Sequence, residues 1–155
     1  MKKLFITAAI ATMFSITAFA KTPVTGEENI SYAVLNHFNT DFKNAKMPAW
    51  TVTPTCQKVT FILDGAHLTA FYDLAGEYLG TTQAVDIKAI PAEAQKEIAT
   101  KYSGYSVGEV IKYENEDSNL DVSPLAYFVD LKKGGSEIIV KVTPGEKVHY
   151  FKTIK

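Results

Sequence analysis

The apolar pattern of this chain recurs with an offset of 60 residues. Ile30, Val34, Phe38 and Phe42 fall at every fourth position, and so do Ile90, Ala94, Ile98 and Tyr102. The same offset carries Met47 and Trp50 onto Val107 and Val110. A four-residue recurrence lays apolar side chains along one stripe of an α-helix, and each stripe continues into alternating, β-type sequence. One pattern stated twice at this length points to a duplicated supersecondary unit. The expected fold class is α+β, with two tandem helix-plus-antiparallel-hairpin units at about residues 29–83 and 90–154. They are expected to share one antiparallel sheet, with both helices on one face and the opposite face partly open to solvent.

The chain start reads as a secretory signal peptide over residues 1–20. Lys2 and Lys3 supply the positive leading charge, Leu4 to Phe19 carries no charge, and Ala18-Phe19-Ala20 offers the small residues that precede cleavage. The apolar run is rich in small and hydroxyl residues and ends in a cleavage site, which favours a removed leader over a membrane anchor. Lys21 is the expected mature N-terminus, and the product is expected to be exported, periplasmic or extracellular, with no membrane span after cleavage. Residues 21–155 then form a single domain built of the two repeats, 135 residues long and able to bury roughly two thirds of its unfolded surface.

Charge excludes one large class of partner. The formal charge of −1 becomes −3 once Lys2 and Lys3 leave, and every basic residue is lysine. Arginine, the residue of bidentate phosphate and guanine recognition, is absent, and no basic stripe replaces it. No nucleic-acid role is expected. Cys56 is the only cysteine, so no intramolecular disulfide can form. It reads either as a reactive or intermolecular thiol or as a small buried apolar side chain, and the lack of a neighbouring histidine favours the second.

Turn chemistry marks the elements. The first helix is expected from about Asn29 to Ala45, with Glu28 or Asn29 at its start and Met47-Pro48 ending it. The second begins at Pro91, carries Glu93 in its first turn and stops near Ser103-Gly104. Val59-Phe61-Leu63 alternates with Lys58-Thr60-Ile62 ahead of Asp64-Gly65, a hairpin signal. Strands follow at His67 to Asp73, Glu77 to Gln83, Val107 to Tyr113, Leu125 to Leu131, Glu137 to Val142 and Lys147 to Ile154. Asn115 to Pro124 is an acidic, turn-rich insertion in the second unit.

These motifs resemble a known family. The residues that carry the likeness are the leader, the phenylalanine-striped helix, Trp50, the hairpin Val59-Thr60-Phe61 with Ala70 to Leu79, and Ile90-Pro91. Lys101-Tyr102-Ser103-Gly104-Tyr105, Tyr127 to Leu131 and Pro144-Gly145-Glu146 complete it. Together they resemble the bacterial exported PepSY-like family, also described as β-lactamase-inhibitor-like, over nearly all of the mature chain. The family's Tyr-Pro-Gly helix exit is Tyr102-Ser103-Gly104 here, and the acidic insertion has no counterpart in the first unit. The resemblance implies two helix-and-strand units on a shared sheet, and a binding or inhibitory module rather than an enzyme. It transfers no catalytic residue.

The residues agree in offering no chemistry. His37, His67 and His149 fall in three elements without metal-ligand spacing, so no metal and no cofactor is expected. No Gly-x-Ser-x-Gly elbow or phosphate loop is present. Glu114, Glu116, Asp117, Asn119 and Asp121 alternate, but the central glycine and terminal glutamate of a calcium loop are missing.

Aromatic residues remain as the lead. Trp50, Tyr72, Tyr78, Tyr127 and Tyr150 are the candidate partner-binding residues, expected on the open sheet face, because tyrosine buries apolar area while its hydroxyl stays paired. The expected function is an exported, non-enzymatic binding or inhibitor-like module that recognises a protein or peptide of the cell envelope. The alternative is a small exported carrier holding an apolar ligand between sheet and helices.

Overall fold

The computed structural model describes residues 23–115, 123–145 and 147–154. The signal peptide at 1–20 and the acidic positions Glu116, Asp117 and Asp121 lie outside the described residues, as does Glu146. Along the described chain run β1 (Val24–Thr25), α1 (Tyr32–Asp41), β2 (Lys46–Val52), β3 (Gln57–Leu63), β4 (Ala66–Tyr72) and β5 (Tyr78–Val85). These are followed by α2 (Ala92–Lys101), β6 (Ser106–Glu114), β7 (Leu125–Lys133), β8 (Ser136–Val142) and β9 (His149–Thr153).

All nine strands belong to one sheet in sequence order, β1 to β9. This overturns the expected α+β plan of two tandem helix-plus-hairpin units with both helices on one face. The architecture is a single antiparallel sheet accompanied, among the described residues, by two ten-residue α-helices.

A strand hidden by its own proline explains part of the difference. Met47-Pro48 looks like a helix stop, yet Lys46–Val52 is a complete strand paired with β3. The register breaks between Lys46 and Ala49, so that Met47 and Pro48 together oppose one residue of β3. Proline has no N–H to give a ladder, and a bulge is where a strand tolerates it.

Each helix is shorter than its apolar stripe suggests. Ser31, not Asn29, caps α1: its Oγ accepts the Val34 N–H at 3.4 Å. Glu27–Asn29 form a separate 3-10 turn instead. In α2, Pro91 is the N-cap and not the first helical residue, so the helix begins at Ala92, one residue later than expected, and the Pro91 carbonyl accepts the Gln95 N–H at 3.1 Å.

The chain divides into two compact units, the first holding residues up to Thr82 and the second beginning at Gln83. In the first, Val34 and Phe38 of α1 pack on Trp50, Val59, Phe61, Ala70 and Tyr72 of the sheet. Phe38 lies edge-on to both Trp50 and Phe61, with ring centroids 5.0 Å apart in each pair. In the second, Ala94 and Ile98 of α2 pack on Val110, Tyr127, Val129, Leu131, Val140 and Val142.

Candidate functional site

Strand register decides which side chains can meet a partner. The two-residue turn Asp64-Gly65 has φ of 50° and 82°, as a primed hairpin turn requires. Counting outward from it pairs Phe61 with Leu68, Val59 with Ala70 and Gln57 with Tyr72. Side chains on directly paired residues share a face, so Tyr72 must lie with Val59 and Phe61 under α1.

The expected aromatic recognition face is therefore misplaced. Trp50 and Tyr72 are buried in the helix-covered core of the first unit, and half-buried Tyr78 packs against it. Tyr72 and Tyr78 touch, with ring centroids 5.6 Å apart. In the second unit Tyr127 is buried among the α2-facing residues, and Tyr150 pairs with Val140 of that same side. Tyr150 alone of the five is exposed, at 58%. Tyrosine carries mixed polarity, and here burial of its ring area outweighs the cost of an unpaired hydroxyl. Tyr72 is fully buried with no hydrogen bond to its hydroxyl, and Trp50 Nε1 is likewise unpaired. Burial, helped by the neighbouring Tyr78 and Asp41, pushes the Tyr72 phenol well above its ordinary range.

The first unit's helix-free face carries a different set of residues. Register places Lys46, Ala49 and Thr51 of β2 beside Lys58, Thr60 and Ile62 of β3, and these beside His67 and Thr69 of β4. Thr60 and Thr69 link their hydroxyls across the strands at 3.1 Å. Lys46, Ala49, Thr60 and His67 are exposed, and Thr51, Lys58, Ile62 and Thr69 half-buried. At the rim, Met47 is 77% exposed and holds φ at 53°. None of these positions was expected as a recognition surface, although the Val59-Phe61 alternation together with the Asp64-Gly65 turn contained the information.

The helix-free face of the second unit is not bare. Ile111, Phe128 and Ile139 are buried there, and Phe151 lies edge-on to Phe128 at 5.0 Å. Asp130, also buried, sits over Gly108 at the β6 bulge. Its Oδ2 pairs with Lys132 at 3.0 Å, and Lys132 reaches Glu137 at 3.2 Å. Those two hydrogen-bonded carboxylates hold the Lys132 ammonium above its usual range, the Asp130 bond contributing most.

Other sequence candidates prove structural. Cys56 is buried, with its Sγ 3.2 Å from Thr53 Oγ1 in a tight turn. Asp73 accepts the N–H groups of Ala75 and Glu77 and so closes the turn before β5. Among the described residues no three His, Cys, Asp or Glu side chains gather as a metal site would need, and no helix is long and apolar enough to cross a membrane.

The class this geometry defines is that of single-sheet antiparallel proteins with short accompanying helices. No protein-family model matches the chain, and no curated protein does. Solved structures share the fold. A BLIP-like protein from Bacteroides fragilis superposes with a TM-score of 0.65 at 16% identity, covering 80% of this chain and 86% of its own. A DUF2874 family protein from Bacteroides uniformis gives a TM-score of 0.66 at 14% identity, covering 77% and 86%. A protein provisionally described as periplasmic, from Bacteroides eggerthii, gives 0.64 at 14%, covering 76% and 84%. At these identities the likeness shows the fold. It agrees with the inhibitor-like side of the motif resemblance, and none of the three carries the PepSY-like name.

Proposed function

We propose that this is an exported, non-enzymatic protein-binding module that recognises a protein of the cell envelope through the helix-free face of its first unit. One observation carries the reading. On that unit the helix side is sealed by an aromatic core, while the other side presents Lys46, Ala49, Thr60 and His67 exposed and Thr51, Lys58, Ile62 and Thr69 half-buried, with buried Phe71 beside Lys58 at one end. Such a surface is rigid and costs little side-chain entropy to cover. The BLIP-like description of one structural neighbour and the periplasmic description of another are in keeping with it. The absence of catalysis is part of the proposal, supported by His37, His67 and His149 lying on α1, β4 and β9. Kinship with PepSY-like proteins is likewise proposed, on the motifs alone.

A photo-crosslinker placed at Thr60 in the native host tests this. A discrete protein adduct from Thr60, and none from Thr100 on the exposed side of α2, is the expected result. Equal adducts from both positions, or none from Thr60, would remove the reading.

The carrier alternative has its own observation. Tyr72 Oη and Trp50 Nε1 are buried and unpaired in the layer between α1 and the sheet. A ligand inserted there would find two polar anchors within aromatic walls. Native mass spectrometry of protein purified without organic solvent would reveal a retained mass under this alternative, and only the bare chain under the main reading.

A further inference from the structure

Past residue 20 the sequence holds two sulfur atoms, those of Met47 and Cys56, because Met1 and Met13 fall in the expected leader. The fold treats the two in opposite ways. Cys56 is 2% exposed, with its Sγ 3.2 Å from Thr53 Oγ1 in the turn between β2 and β3. Met47 is 77% exposed.

That exposure is built into the strand. The β2 bulge sets Met47 and Pro48 together against Phe61, so the two share one ladder position. Met47 holds φ at 53°, in the left-handed region, where a non-glycine side chain persists only if the surrounding structure fixes it. Among the described residues β1 pairs only with Thr51 and Val52 of β2, so that strand does not run alongside Met47. The aromatic core of the first unit closes without it, since Phe38 makes its edge-on contacts with Trp50 and Phe61.

Thioether chemistry decides what such a placement allows. A peroxide oxidises methionine in one two-electron step. A sulfur lone pair attacks one peroxide oxygen, the O–O bond breaks, an S–O bond forms and water leaves. The sulfoxide is polar, so it disrupts a packed core, whereas an exposed position leaves it solvated. A dithiol reductase reverses the step: its two thiols lose two electrons and become a disulfide, and the oxygen departs as water.

We propose that Met47 is the reversible oxidation site of the folded chain, taking one oxygen from a peroxide and yielding it to methionine sulfoxide reductases while Cys56 stays reduced. This is independent of the partner proposed above, and the failure of either leaves the other standing.

The test uses the chain recovered from its native host, treated with hydrogen peroxide at neutral pH and mapped by peptide mass spectrometry. The peptide containing Met47 is expected to gain one oxygen, at a rate within about fivefold of the same peptide free in solution. The peptide containing Cys56 is expected to gain none until urea is added. Oxidation should leave the urea midpoint unchanged, and the two reductases specific for the sulfoxide epimers, with dithiothreitol, should remove the oxygen from the folded chain. Met47→Leu, which keeps the apolar volume, should take up no oxygen under the same treatment. Oxidation at Met47 slower than that fivefold limit, or oxidation of Cys56 in the folded chain, overturns the inference. So does a lowered midpoint, an oxygen the reductases cannot remove, or uptake by Met47→Leu.

Discussion

Gln57 and Ser31 are joined by two hydrogen bonds that dock α1 on the sheet. Gln57 Oε1 accepts the Ser31 N–H at 2.9 Å, and its Nε2 donates to Ser31 Oγ at 3.3 Å. Nε2 also reaches the Asp73 carbonyl at 3.2 Å, so one buried amide ties the helix cap to the turn before β5. Gly76 of that turn lies against α1: a Cβ on it would stand 3.0 Å from that of Ala33.

Replacing Gln57 by leucine should cost about 2–3 kcal/mol, because it leaves buried donors and acceptors without partners. Ser31→Ala removes the cap and the Gln57 Nε2 bond to Ser31 Oγ, but leaves Gln57 bonded to the Ser31 N–H and the Asp73 carbonyl, and should cost about 1 kcal/mol. Urea melts of both variants would rank them, and equal costs would contradict the docking role of the amide.

Tyr72 and Phe38 should behave alike on truncation, contrary to the expectation of a surface tyrosine. Both are buried in one aromatic layer, so conversion to alanine should destabilise each by about 3–5 kcal/mol. Tyr72→Phe should instead be neutral or raise stability by up to about 1 kcal/mol, since the lost hydroxyl has no partner.

Alkaline pH supplies an independent check on Tyr72. Its phenol pKa is raised in the folded chain, chiefly by burial, from an ordinary value of 10.0. Above that value the unfolded chain binds fewer protons than the folded one, so stability falls as pH rises. Comparing urea midpoints at about pH 8 and about pH 11 should show a smaller loss for Tyr72→Phe than for wild type. Part of the loss should persist, because burial also raises Tyr113.

Gly108→Ala should destabilise by about 1–3 kcal/mol, because its Cβ would stand 2.3 Å from Asp130 Oδ2 in a buried, ion-paired carboxylate. Adding Asp130→Ala should cost less than the two single changes summed. Strict additivity in that double-mutant cycle would show that the two residues do not press on each other.

Export is checked by mass. Protein recovered from the native host outside the cytoplasm should begin at Lys21, and a membrane-bound form retaining Met1 to Ala20 would contradict the leader.

Local chemistry alone placed the two helices, through the stripes Ile30–Phe42 and Ile90–Tyr102, and the hairpin at Asp64-Gly65, because periodicity and turn preference act between near neighbours. The same reasoning could not see that Met47-Pro48 lies inside a strand, since the energy that holds β2 comes from pairing with β3 and from Trp50 packing on Phe38. Nor could composition say which face takes a tyrosine. That depends on register, where a shift of one residue exchanges every side chain between core and solvent. Tertiary pairing put Trp50, Tyr72, Tyr78 and Tyr127 on the helix sides of their units, and left Lys46, Thr60 and His67 as the exposed face. The fold was decided by long-range pairing of strands into one sheet, a cooperative outcome that no single window of sequence contains.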